Sequence, residues 1–214
     1  MNRTRRQELV SSFTHGGAGL LAIAGLVMLI VLSASQKTPW HVVGFSIYGT
    51  SLILLYTASF IYHLFNAVKG FKESWQSLDY AMITILIAGT YTPVTLVSLR
   101  GGWGWTLFGI IWGMTIASIV LRQTTSIFKR WVPPIYYLIM GWLILIAIVP
   151  LANALPAPAL WLLFGGGACY TLGVGFYVLE GKIKLSTHFG MHEVFHIFVI
   201  LGSVCHFIMM YKYI

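Results

Sequence analysis

Charge is the scarcest commodity in this chain. Only 8% of its 214 residues are charged, and the acidic side chains number five. A soluble domain carries roughly 25% charged residues, so a water-exposed globule is excluded. Polar linkers and internal repeats are missing too, which leaves no place for a second, soluble domain. Alternating ten-residue strands are absent, and without them a closed membrane barrel is excluded. Cysteine is nearly absent. Cys169 and Cys205 lie inside apolar runs without metal or redox spacing, and read as buried, inert thiols.

What is present is apolar side chain, 58% of the residues. In a bilayer the backbone must satisfy its own hydrogen bonds, and apolar runs near 20 residues choose helices. The expected fold is an all-α integral membrane protein with seven transmembrane helices, over residues 16–34, 42–65, 78–99, 103–121, 133–151, 157–179 and 189–211. Residues 1–15 read as a basic cytoplasmic tail and 16–214 as one seven-helix domain. Residues 16–34 are long enough to span, with no clear cleavage motif after them, so they are not a signal peptide.

The net charge of +8 does not point to nucleic acid, because the basic residues are scattered among the loops. Taking the tail and every second loop as one side collects Arg3, Arg5, Arg6, Lys69, Lys72, Arg122, Lys129, Arg130, Lys182 and Lys184, against Lys37, Arg100 and Lys212. Cytoplasmic loops hold the excess, placing the N-terminus inside and the C-terminus outside, in a bacterial inner membrane. Trp40, Trp103, Trp105 and Trp131 fall at the expected interfaces as anchors. Most of the 22 glycines read as close-packing positions, and Pro93 should kink the third span.

On that frame the polar residues converge. The last span opens with His188, His192, Glu193 and His196. A four-residue step advances a side chain one turn and about 40° round a helix, so His192 and His196 can face one object, with His188 a turn nearer water. His63 ends the second span on the same side, with Ser59 one turn before it. Asp79 begins the third span there, and His15 enters the first. Ionisable groups inside a span are costly and mark function. Three imidazoles suit zinc, with one position left open for water; a histidine that merely packs and hydrogen-bonds is the plainer alternative for each alone.

Asp79 could instead cap the start of its helix, a task Ser77 could also take. Ser59 could simply bond its own i−4 carbonyl. His192-Glu193-Val194-Phe195-His196 matches the His-Glu-x-x-His pattern of zinc proteases, but no acidic third ligand follows. His188 reads as a rim residue. His206 lies about 21 Å beyond His192 at 1.5 Å per residue, too far to share an ion. His41 falls in an outer loop.

Taken in order, Glu8…Thr14-His15-Gly16, Ser59-Phe60-Ile61-Tyr62-His63, Leu78-Asp79, Ala88-Gly89-Thr90-Tyr91-Thr92-Pro93, Arg100-Gly101-Gly102-Trp103-Gly104-Trp105 and His192…His196…Ser203-Val204-Cys205-His206-Phe207 resemble the bacterial hemolysin III family. That family is similar to the progestin and adiponectin receptor group and, more distantly, to alkaline ceramidases. The resemblance spans essentially the whole chain. It implies seven helices with the N-terminus inside, and a zinc ion held by His63, His192 and His196 with Asp79 and Ser59 beside it. It also implies hydrolysis of lipid amides, ceramide being the type of substrate. Two departures stand out: Ser11, where many relatives carry asparagine, and Glu193, where relatives carry a small or apolar residue.

The expectation is therefore a zinc hydrolase of a lipid amide or ester bond, its site open to the cytoplasmic leaflet. Asp79 takes a proton from the attacking water and Ser59 steadies the oxyanion. The alternatives are a non-enzymatic receptor-like or pore-forming (cytolytic) protein with a structural zinc and, less favoured, an intramembrane metalloprotease. The expected partner is a membrane lipid.

Overall fold

The structure is a computed structural model describing residues 3–34, 39–69, 73–125, 132–183 and 185–214. Lys37, Lys72, Lys129, Arg130 and Lys184, counted above for orientation, and the anchor Trp131 lie outside the described residues. Among those described there is no strand, and seven helices are long and apolar enough to cross a membrane. They are α1 (Arg5–Ala34), α2 (Pro39–Val68), α3 (Glu73–Ser98), α4 (Gly102–Thr124), α5 (Val132–Ala154), α6 (Ala157–Val178) and α7 (Met191–Tyr213).

The helices form a closed ring. α1 packs on α2 and α7, α2 on α3, α3 on α5, α5 on α6, and α6 on α7, while α4 packs on α3 and accepts the Tyr136 hydroxyl of α5 at its Met114 carbonyl. Phe45 and Tyr48 of α2 and Met209 and Met210 of α7 are fully buried, whereas Leu20, Leu21, Val149 and Trp161 face outward. That distribution suits a bundle in lipid, where apolar side chains have no reason to hide. Small residues bring the spans together: a Cβ on Gly44 would stand 3.0 Å from the Pro93 Cα.

Two spans are irregular, and one side chain connects them. Beyond Pro93, where a kink was expected, α3 widens into a π-helical turn over Val94–Ser98. Tyr91, just before it, sends its hydroxyl into α5, 2.8 Å from the Met140 carbonyl and 2.9 Å from that of Gly141, and accepts the Ile144 N–H at 2.8 Å. At that level α5 passes from α-helix to a 3₁₀ segment, Leu143–Ala147. Broken helices persist in membranes only where neighbours satisfy the freed backbone groups, and Tyr91 does that here.

Several boundaries differ from the sequence reading. α1 starts at Arg5, so a stretch expected to be a tail is helix. α3 starts at Glu73, which puts Asp79 past the first turn and removes helix capping as its role. His41 lies in α2, its ring against Phe45, instead of in a loop. α7 begins at Met191, so His188 precedes the helix and does not continue the four-residue series. The expected anchors Trp40 and Trp105 meet edge to face at 5.6 Å, and Arg100 lies over Trp40.

Candidate metal centre

Three imidazoles meet where α2 ends and α7 begins. One ring nitrogen from each of His63, His192 and His196 lies within 4.8 Å of the others. His63 and His196 are almost fully buried. His206 is outside the group, donating to or accepting nothing from it, with its Nε2 3.1 Å from the Leu163 carbonyl. The expected convergence of two spans on one point is therefore observed.

The outer nitrogens of two of these rings meet carboxylates. His63 Nδ1 is 2.7 Å from Glu8 Oε2, and His192 Nδ1 is 2.9 Å from Glu180 Oε2. An ionised carboxylate only accepts, so the Glu180 contact favours a proton on His192 Nδ1. At His63 the closer contact, to Glu8, favours the same tautomer, against Arg3 Nη1, which can only donate and lies 3.1 Å from the same nitrogen. In those tautomers the two Nε2 atoms, 3.4 Å apart, have no proton between them. Two bare lone pairs at that distance repel, unless a cation lies between. Two ligands about 2.0–2.1 Å from a tetrahedral zinc stand roughly 3.3–3.4 Å apart, so the observed spacing fits that ion.

Glu193, the unexplained acid of the sequence, has a structural task. Its Oε2 accepts the Gly190 N–H at 2.6 Å, closing the start of α7, and its Oε1 accepts from Ser11 at 2.8 Å and from Arg3. Both oxygens are engaged in holding the start of α7, which argues against a role as the base of a zinc protease. Ser11 and Glu193 are thus partners of each other. His188 is exposed, 2.8 Å from Arg6 Nη1, in keeping with a rim position.

Asp79 is not one of the residues whose donor atoms converge. It is buried one step away, beside the Ser59 hydroxyl and the charge of Arg122, whose guanidinium lies 4.1 Å over the Tyr80 ring. With His192 and His196, Asp79 and Ser59 line a cavity of about 160 Å³ at the centre of the ring. A water needs roughly 10–15 Å³ of such space, so the cavity has room for far more than a solvent molecule. Its remaining wall is mainly aromatic and aliphatic, including Ile83, Tyr137, Phe164 and Phe195.

His15 also faces this cavity, stacked on His196 with centroids 3.6 Å apart and planes 11° from parallel. Sequence reasoning brought it to the right end of the bundle but assigned it no contact. Glu8, Glu180 and Arg3 were missed as site residues. The one available signal was rarity: three of only five acidic residues gather behind these imidazoles. Burial lifts the Glu180 carboxyl above the ordinary glutamate range, with Arg3 pulling the other way.

Fold and site together define a multi-pass membrane protein with a buried three-histidine cluster at one end of a seven-helix ring. Residues 3–207 match the family described as Haemolysin-III related. The chain is 37% identical over 206 residues to the hemolysin-3 homolog of Bacillus subtilis, covering 95% of this chain and 92% of that protein. It is 36% identical over 216 residues to hemolysin-3 of Bacillus cereus, covering 100% and 94%. It is 24% identical over 216 residues to the human monocyte to macrophage differentiation factor, covering 97% and 84%. The chain belongs to the Haemolysin-III related family, as a multi-pass protein of the bacterial plasma membrane.

Proposed function

We propose that this protein is a zinc-dependent hydrolase acting on an amide or ester bond of a membrane lipid. The observation that carries the reading is the pair of Nε2 atoms 3.4 Å apart, each on a ring whose Nδ1 meets a carboxylate on the far side. Three neutral imidazoles are a donor set suited to zinc, and His63, His192 and His196 hold it. The bound metal supplies Lewis acidity and a water acidic enough to react at neutral pH.

The remaining chemistry belongs to the chain. Asp79 accepts the proton from the attacking water; among the described residues that line the cavity it is the one carboxylate. Ser59 donates its one hydroxyl proton to that carboxylate in the resting site and turns it to the oxyanion once Asp79 is protonated; Asp79 then passes its proton to the departing nitrogen or oxygen. Arg122 balances the charge of Asp79, which would otherwise be expensive to bury. Aromatic and aliphatic walls receive an acyl chain, while the polar bond is held at the histidine end. The charge asymmetry of the loops supports a cytoplasmic position for that end.

The test uses purified protein in lipid nanodiscs with a panel of fluorescent N-acyl and O-acyl lipids. Wild type should release fatty acid from at least one of them. Asp79→Asn should keep its zinc and lose roughly 10²–10⁴-fold in turnover, the usual worth of a general base. Equal activity of the two proteins, or no release from any substrate, would sink the proposal.

A further inference from the structure

We propose that Glu8 and Glu180, tied together by Arg3, are positioning residues that fix which nitrogen of His63 and His192 is free to bind metal, which makes the start of α1, with Arg3 just ahead of it, part of the centre. This rests on the metal reading above and extends it to residues outside the ligand set.

The contacts form a connected cluster behind the rings. Glu8 spans His63 Nδ1 at 2.7 Å and Asn66 Nδ2 at 2.8 Å, so both its oxygens are placed from α2. Glu180 follows α6 and meets His192 Nδ1 at 2.9 Å. Arg3 touches Glu8 at 3.3 Å and Glu180 at 3.7 Å, and also pairs with Glu193. One guanidinium thus joins carboxylates from α1, from the loop after α6 and from α7. Its planar array of donors can serve several acceptors at once, which lysine's compact ammonium does less well.

Charge supports the same assignment. Glu8, Glu180 and Glu193 carry three negative charges against Arg3 and the N-terminal ammonium, which also acts on Glu180, leaving the cluster net negative. The imidazole ligands are neutral. A cation in front of them offsets that excess, whereas a plain packing cluster at the edge of a membrane has no use for it. Carboxylates behind ligating histidines hold the tautomer and raise ligand basicity, and their loss commonly costs 10–100-fold in metal affinity.

The experiment measures zinc affinity of the purified full chain by chelator competition, alongside nitrogen NMR of the histidine tautomers without metal. Glu8→Gln and Glu180→Gln keep shape but replace an acceptor-only group by one that also donates. Each should weaken zinc binding about 10–100-fold, and Glu8→Asp and Glu180→Asp should recover part of it. In the metal-free state wild-type His63 and His192 should hold their protons on Nδ1, and each Gln variant should mix the tautomers of its own partner only. Zinc affinities within twofold of wild type, or unmixed tautomers in both variants, would overturn the assignment. Should one variant fail to fold, the other decides. If wild type itself binds no zinc, the metal reading fails separately, and the tautomer measurement still decides the positioning claim.

Discussion

The Tyr91 hydroxyl holds the irregular part of α5 together, and replacing it with phenylalanine tests that directly. Tyr91→Phe removes one oxygen and nothing else, leaving the Ile144 N–H without its acceptor and the Met140 and Gly141 carbonyls without their donor. Leaving a buried polar group unsatisfied costs about 1–3 kcal/mol, while hydrogen bonds between membrane helices average nearer 0.6 kcal/mol. With three backbone groups affected, the expected loss is about 2 kcal/mol, or roughly thirtyfold in the unfolding equilibrium. Reversible unfolding in mixed detergent micelles reads this out. Tyr137→Phe is the internal control, because that hydroxyl makes a single 3.3 Å bond to the Tyr80 carbonyl and should cost far less. Equal stability of Tyr91→Phe and wild type, within about 0.5 kcal/mol, would mean that α5 breaks for some other reason.

Two further outcomes follow from particular contacts. In Gly202→Ala the added Cβ would lie 2.8 Å from Tyr170 Cε1, and that ring is anchored by Ser203 at 2.9 Å, so the α6–α7 seam should lose about 1–3 kcal/mol; unchanged unfolding would show that the seam yields. Glu180 gives a pH dependence. A carboxyl raised in the fold adds stability at pH below its ordinary value of about 4.5 and loses it as the pH rises through the raised value. The Tm of metal-free wild type, relative to Glu180→Gln, should therefore fall as the pH is raised from about 4.5. A relative Tm that climbs instead would contradict the burial of this carboxyl.

The seven spans were legible in the sequence because membrane length and hydropathy are strong constraints with few alternatives. The three-histidine cluster was legible for a related reason: His192 and His196 are one turn apart, and His63 stands at the same depth near the end of a span that runs the opposite way. Asp79 and Ser59 were placed at the right end, and they do line the same cavity as the histidines. Glu8, Glu180 and Arg3 were not legible as site residues. Nothing in their local spacing distinguishes them from loop and tail charges, since their role depends on α1 extending to Arg5 and lying against α7. The function of Glu193 was hidden similarly, because its partners Ser11 and Arg3 are remote in sequence. His188 is at the rim as expected but not on the helix, since a four-residue interval carries meaning only where the chain is helical, and α7 starts later.

The central claim is that imidazoles from α2 and α7 grip one divalent ion. Zinc K-edge X-ray absorption on the purified protein tests it most directly. The account predicts about one zinc per chain, with three imidazole nitrogens at roughly 2.0–2.1 Å, and loss of that signal in His63→Ala, His192→Ala and His196→Ala. A protein that retains no zinc, or whose zinc shell is unchanged when these histidines are removed, would contradict it.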